Sequence, residues 1–189
     1  MPLDDAFVHA WVTPADIAPA RWEPMRDDII SVLRAASREL ERDRSDDALA
    51  VLRGPEGFGP LHLAPDAVAF NGNAFLGFAG DPFAIERKPR RGVLARASHG
   101  GARRAVRRCR TEGHPYDLAV CAVLLVVLRH LGDEARVGTS GGLRTGWGRA
   151  AALVRATIGE CGQLVQHENG ALRWVDAPAA GGQVRSSAS

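Results

Sequence analysis

The chain has 189 residues, of which 46% are hydrophobic and 24% are charged, and its formal net charge is +2. A chain of this length can bury a core without disulfides or metal ions, and this balance of apolar and charged residues excludes wholesale disorder. We therefore predict a single domain over residues 1–176. The residues from 177 to 189 are rich in Ala, Gly and Ser, which is typical of a disordered tail.

The cysteines and the apolar runs indicate where the protein works. Cys109, Cys121 and Cys161 form no C-x-x-C pair and leave one thiol unpaired in any disulfide scheme, which favours a reducing compartment. The N-terminus carries early acidic residues and no basic leader, so we expect no signal peptide. The longest apolar run, 118–128, is shorter than the roughly 20 residues that a membrane-spanning helix needs. We expect a cytoplasmic protein that does not associate with membranes.

Two helices are predicted in the N-terminal part. Thr13, Pro14 and Asp16 have the spacing of a helix start, with a hydroxyl at the cap and proline at the first helical position. From Pro24 to about Asp43, apolar residues recur every three or four positions and predict an amphipathic helix. These residues are Ile29, Leu33, Ala36 and Leu40.

The middle of the chain has the pattern of an antiparallel sheet. Short apolar runs alternate with Gly-Pro, Asn-Gly-Asn and Gly-Asp-Pro turn signals. The predicted strands are 48–53, 61–64, 67–70, 74–79, 83–87 and 93–97. Residues 102–110 fit either a helix or a strand that returns from a turn at 99–101, and we slightly favour the strand.

The C-terminal part contains the clearest helix. Pro115 and Asp117 mark its start and Gly132 its end, and residues 118–128 are apolar on every side, so this helix should be buried. A strand over 135–139 follows, and then a second helix, with Trp147 on its apolar face, that ends near Gly159 to Gly162. A hairpin of 163–167 with 171–175 around Asn169-Gly170 closes the predicted domain. The fold class is α+β: a small antiparallel sheet packed against two C-terminal helices, with an N-terminal amphipathic helix.

The charge is distributed unevenly. Residues 87–110 contain ten basic residues and no acidic one, which leaves 14 basic against 22 acidic residues elsewhere. Guanidinium groups neutralise phosphates, so we predict a small binding protein whose basic segment contacts a polyanion, most plausibly nucleic acid. The segment has no aromatic residue on which bases could stack. The predicted binding residues are Arg87, Lys88, Arg90, Arg91, Arg96, Arg103, Arg104, Arg107, Arg108 and Arg110.

A second interpretation is that the basic segment is an interaction surface. It could face an acidic region of the same chain, such as Asp43 to Asp47, or an acidic surface on another protein. In that case the protein is an oligomeric interaction module, either a homo-oligomer or the partner of an acidic protein.

A third interpretation is a hydrolase or transferase that uses Cys109, His114 and Asp117 as nucleophile, base and orienting carboxylate. Each residue also has a structural explanation: an apolar position, a cap and a first-turn carboxylate. The loop from Gly138 to Gly146 lacks the spacing of a phosphate-binding loop, and the other histidines lack metal-ligand spacing. We therefore assign no catalytic residue and predict neither a metal site nor a cofactor.

Residues 106–147 resemble a group of uncharacterised bacterial and phage proteins. The resemblance rests on Cys109-Arg110-Thr111, Pro115-Tyr116-Asp117, the apolar helix, the loop at Ser140 and Trp147. A weaker similarity is found at Asn71-Gly72 and over 83–87. The group has an acidic residue after the loop serine, where this chain has Gly141. The resemblance implies a shared domain and no known activity.

Overall fold

The computed structural model describes residues 7–42, 50–89, 94–95, 103–140, 146–159, 162–166 and 171–175. These residues form an α+β fold, as predicted. The helices are α1 (Pro19–Arg42), α2 (Asp117–Leu131) and α3 (Trp147–Ile158). The strands are β1 (Val8–Pro14), β2 (Leu52–Arg53), β3 (His62–Ala64), β4 (Ala67–Gly72), β5 (Phe83–Glu86), β6 (Leu94–Ala95), β7 (Arg104–Arg110), β8 (Arg136–Thr139), β9 (Gln163–Gln166) and β10 (Ala171–Val175).

Several sequence predictions fall outside the described residues. They are the tail over 177–189, the acidic region 43–47, the turn at 99–101, the loop segment 141–145 and the Asn169-Gly170 turn. Among the described residues, no helix combines the length and apolar character needed to cross a membrane.

The larger sheet has six antiparallel strands in the order β6-β7-β1-β8-β10-β9. The N-terminal strand β1 lies inside this sheet, where Val8 pairs with Arg110 of β7 and His9 pairs with Thr139 of β8. The predicted helix start at Thr13 is therefore wrong. Thr13 points into the core and is buried, so its hydroxyl belongs to a strand and does not cap a helix.

The smaller sheet is built around β4, which pairs with β2, β3 and β5. An aromatic contact joins it to the larger sheet: the Phe83 ring of β5 stacks on the Trp11 ring of β1, with centroids 4.8 Å apart. Within the smaller sheet, the Phe83 and Phe70 rings are tilted against each other, with centroids 5.0 Å apart. The strand predicted over 74–79 is wrong. Residues Ala74–Leu76 form a 3-10 turn, because the Asn73 side chain accepts a hydrogen bond from Phe75 N and Gly77 adopts a φ of 71°.

The three helices pack against one another, and α2 also contacts β8 and β10. Helix α1 begins at Pro19, five residues before the predicted start, so Pro19 takes the first helical position and Pro24 lies inside the helix. Its buried residues recur every three or four positions, as predicted. Helix α2 is buried on nearly all sides, and only Arg129 and His130 near its end are partly accessible.

We predict that Leu124→Ala in the middle of α2 destabilises the protein by about 3 kcal/mol, because Leu124 is fully buried and its truncation leaves a cavity among packed helices. The free energy of unfolding should be measured by urea denaturation. Leu63→Ala is the control, since Leu63 is 37% exposed and its truncation should change stability by well under 1 kcal/mol. Equal losses for both variants would contradict the assignment of α2 as the centre of the core.

Candidate functional site

Strand β7 separates the basic segment into two faces, because successive side chains of a strand point to opposite sides of the sheet. Ala105 and Cys109 are buried on the inner side, whereas Val106, Arg108 and Arg110 are exposed on the outer side. The preference for a strand in this segment is confirmed. The run of arginines is therefore not a single surface.

The outward positions of β1, β7 and β8 form a surface that we call the outer face. The registers place Arg108 beside Ala10 and Gly138 in one row, and Val106 beside Val12 and Arg136 in the next row. The outer face contains four arginines and no carboxylate. Its residues are Val8, Ala10, Val12, Pro14, Arg104, Val106, Arg108, Arg110, Arg136 and Gly138.

The spacing of the outer face follows from sheet geometry. Neighbouring strands lie about 4.8 Å apart, so the backbones of β7 and β8 are about 10 Å apart on either side of β1. Arg108 and Arg136 thus flank a narrow strip formed by Ala10 and Val12. Because Ala10 and Val12 have short side chains, the long arginine side chains on either side can contact an extended anion that lies along β1.

Three of the ten predicted binding residues pair with nearby carboxylates and do not reach the outer face. Arg87 and Lys88 contact Asp16 at 3.3 and 2.9 Å. Arg107 points to the inner side and forms an ion pair with Glu86 of β5. These pairs agree in part with the interpretation that acidic groups of the same chain neutralise the segment.

The other predicted binding residues differ in their surroundings. Arg104 donates a hydrogen bond of 2.6 Å to the Glu134 carbonyl oxygen. Arg103, Arg108 and Arg110 are exposed and have no ion pair with a carboxylate in the described part of the chain. Arg90, Arg91 and Arg96 lie outside the described residues. Arg136, which sequence reasoning did not select, joins the outer face from β8.

A buried polar cluster lies on the inner side of the same strands. We call it the Asp117 cluster; it consists of His9, Thr111, Asp117 and Cys121. Asp117 Oδ1 lies 2.7 Å from His9 Nε2 and also accepts a hydrogen bond from the Thr111 hydroxyl. The Cys121 thiol lies 3.7 Å from Asp117 Oδ2 and 4.0 Å from His9 Nε2. All four residues are at most 8% exposed.

Local structure brings these side chains together. Asp117 begins α2 and Cys121 follows four residues later, so both lie on one helix face. His9 points inward from β1, and Thr111 directly follows β7. Burial raises the pKa of the Cys121 thiol well above its ordinary value, and the nearby Asp117 carboxylate raises it further.

Three buried polar atoms near the Asp117 cluster have no hydrogen-bond partner among the described residues: His9 Nδ1, Thr139 Oγ1 and Trp147 Nε1. Thr139 pairs with His9 across β1 and β8. The His9 and Trp147 rings form a T-shaped contact, with centroids 5.6 Å apart and an angle of 74° between their planes. Buried polar atoms are normally satisfied, so three such atoms around one imidazole mark a place where a partner is expected.

The structure gives Cys109, His114 and Asp117 separate partners. The Cys109 thiol donates to the Asp81 carbonyl oxygen at 3.2 Å, and His114 lies 3.8 Å from Glu112. Asp117 instead contacts His9. Since these partners link neither Cys109 nor His114 to Asp117, the arrangement that a nucleophile, base and orienting carboxylate require is not formed.

Sequence reasoning missed His9 and Cys121 as site residues. His9 lies 108 residues from Asp117 in the chain, and no strand was predicted around it. One signal was available: Asp117 and Cys121 are the polar or polarisable groups four residues apart in an otherwise apolar helix start. That spacing places both side chains on one face of the helix, where a third polar group from another element can join them.

Comparisons with family models, curated proteins and solved structures found no significant match to this chain. The resemblance to bacterial and phage proteins over residues 106–147 stays a prediction.

We predict that the stability of the protein falls as the pH rises above 9. Burial raises the pKa of the Cys109 thiol from 9.0 to about 12, and burial likewise raises the pKa of the neighbouring Tyr116 hydroxyl. Between pH 9 and about 12 the folded protein retains the Cys109 proton and the unfolded chain releases it, so the native state loses stability as the pH rises.

The free energy of unfolding, measured by urea denaturation from pH 8 to 11, should decline less steeply in Cys109→Ala than in the wild type. The slope is compared because truncation lowers the stability at every pH. An unchanged slope would show that Cys109 does not contribute to the alkaline loss. Every other ionisable group, Cys121 included, is present in both proteins, so the difference in slope reports on Cys109.

Proposed function

We propose that this protein binds nucleic acid through its outer face, with Arg104, Arg108, Arg110 and Arg136 contacting phosphates. The observation that carries the proposal is the pair of exposed arginines on β7, Arg108 and Arg110, whose guanidinium groups form no ion pair with a carboxylate in the described part of the chain. The Asp81 carboxylate accepts a hydrogen bond from the backbone N–H of Arg110 and not from its guanidinium group. An unneutralised cationic surface attracts polyanions and gains affinity by releasing counterions.

The composition of the outer face indicates how nucleic acid would be bound. The outward positions of β1, β7 and β8 include no aromatic residue, so they provide no stacking platform for bases. Contacts from arginine to phosphate carry little sequence information. We therefore infer a backbone-binding mode with strong salt dependence and little preference for base sequence.

Replacing Arg108 and Arg110 together with Ala should weaken binding to a short labelled DNA duplex roughly tenfold, because two phosphate contacts are lost. The slope of log affinity against log salt concentration should fall by about 1.8, at about 0.9 per phosphate. Fluorescence anisotropy over a salt series measures both quantities. A single strand of the same sequence provides the second ligand.

The matched control removes two exposed arginines from α1, as Arg34→Ala with Arg38→Ala. This variant changes the net charge equally but leaves the outer face intact. If both double variants lose the same affinity, net charge alone explains binding and the proposal is rejected. Wild-type protein that binds neither duplex nor single strand at low salt rejects it outright.

A second candidate is a self-association surface, and exposed valines favour it. Val106, Val165 and Val175 are 46%, 40% and 49% exposed. Val106 lies on the outer face, and Val165 and Val175 lie on β9 and β10 of the same sheet. Static light scattering over a concentration series tests this candidate: a constant monomer mass rejects it.

A further inference from the structure

We propose that His9, Asp117 and Cys121 bind a divalent transition-metal ion, with Zn²⁺ as the best-suited ion. This proposal is independent of nucleic-acid binding, since it concerns the opposite side of the sheet. It also reverses the expectation from the sequence, which predicted no metal site because the histidines lack metal-ligand spacing.

The donor set is the first support. An imidazole nitrogen, a thiol sulfur and a carboxylate oxygen lie within 4.8 Å of one another. Nitrogen, sulfur and oxygen ligands in one small group match the preferences of Zn²⁺, whereas Mg²⁺ and Ca²⁺ prefer oxygen ligands alone.

The distances between the donor atoms are close to those of a coordinated ion without matching them. Two ligands of a tetrahedral Zn²⁺ ion lie about 3.4 to 3.6 Å apart, given bond lengths of about 2.0 to 2.3 Å. Cys121 Sγ lies 3.7 Å from Asp117 Oδ2 and 4.0 Å from His9 Nε2, so both separations are longer than this range. His9 Nε2 and Asp117 Oδ1 lie 2.7 Å apart in a hydrogen bond, which a bound ion would replace as the three side chains adjust around it.

Gly146, the residue before α3, passes close to the donor atoms. A Cβ atom added to Gly146 would lie 2.9 Å from Asp117 Oδ2 and 3.8 Å from Cys121 Sγ. Because Gly146 has a φ of +77°, most other residues would also be strained there. A side chain at position 146 would therefore press on the carboxylate oxygen that faces the thiol.

The unpartnered atoms supply the second support. When His9 Nε2 binds a metal ion, its proton moves to Nδ1, which then needs an acceptor. His9 Nδ1 and Thr139 Oγ1 both lack a hydrogen-bond partner among the residues that the structure describes. They belong to directly paired residues, whose Cβ atoms lie about 5 Å apart. A bond from Nδ1 to Thr139 Oγ1 would satisfy both atoms, and Thr111 would continue to hold Asp117 Oδ1.

Fold stability alone does not explain such a cluster. Buried ionisable groups can often be replaced by apolar residues with no loss of stability, because their desolvation cancels their attraction. Three protein ligands leave one tetrahedral position for a further ligand, which is the arrangement of zinc sites that bind water or substrate. A metal ion explains the donor set and the unsatisfied nitrogen together.

The experiment uses the full chain and the metal alone. Apo-protein is titrated with Co²⁺, a spectroscopic substitute for Zn²⁺, and absorption is recorded. The wild type should show a thiolate-to-cobalt charge-transfer band together with the intense visible bands of tetrahedral cobalt, and added Zn²⁺ should remove them. Protein produced with zinc should contain about one Zn²⁺ per chain by elemental analysis.

Substitutions assign the ligand. Cys121→Ser should abolish the charge-transfer band, whereas the matched controls Cys109→Ser and Cys161→Ser should retain it. His9→Gln should weaken Co²⁺ binding at least tenfold, a typical cost of losing a ligand or its support. Circular dichroism establishes that each variant is folded.

Two results would overturn the proposal. One is a wild-type protein that gives no charge-transfer band and contains no zinc, which would make the Asp117 cluster a hydrogen-bonded part of the core. The other is a band that persists in folded Cys121→Ser. The wild-type measurement needs no variant, so a failure of Cys121→Ser to fold does not prevent the test.

Discussion

The neighbouring strands β1 and β7 send alternate side chains to opposite sides of the six-stranded sheet, and the two candidate sites both follow from this alternation. On the inner side, His9 reaches the first turn of α2 and contacts Asp117. On the outer side, Arg108 and Arg110 point to solvent. A one-residue shift of β7 would turn its outer arginines toward the core, and a one-residue shift of β1 would turn the His9 imidazole outward. The register of both strands is therefore strongly specified.

The same alternation places charged groups in two different environments, one inside the protein and one in water. The buried Asp117 carboxylate lies in a medium of low dielectric, where an unpaired charge is costly, and it receives hydrogen bonds from His9 and Thr111. Arg107 on the same side of the sheet is partly exposed and pairs with Glu86. Outer arginines remain hydrated and need no internal partner. A segment that reads as one basic run in sequence therefore contributes both to the core and to a cationic surface.

Local patterns predicted the helices and the strand character of β7, because their information lies within a few residues: the apolar run of α2 and the spacing of buried residues in α1. Strand β1 was not predicted. Its pairing partners are distant in sequence, and Thr13 and Pro14 have the residue pattern of a helix start although they belong to a strand. Part of the candidate site could be predicted from the sequence, because the cluster of arginines is local. Which arginines point outward depends on which residues of β7 face the core, and the sequence does not show this. The contact between His9 and Asp117 forms only when the chain folds.

The most direct test of the division between the two faces is to follow the arginine Nε–Hε resonances by NMR while a DNA duplex is added. The account predicts shifts for Arg108, Arg110 and Arg136, and none for Arg107 or Arg87, which pair with Glu86 and Asp16. Equal shifts of Arg107 and Arg108, or shifts confined to arginines away from β7 and β8, would contradict it.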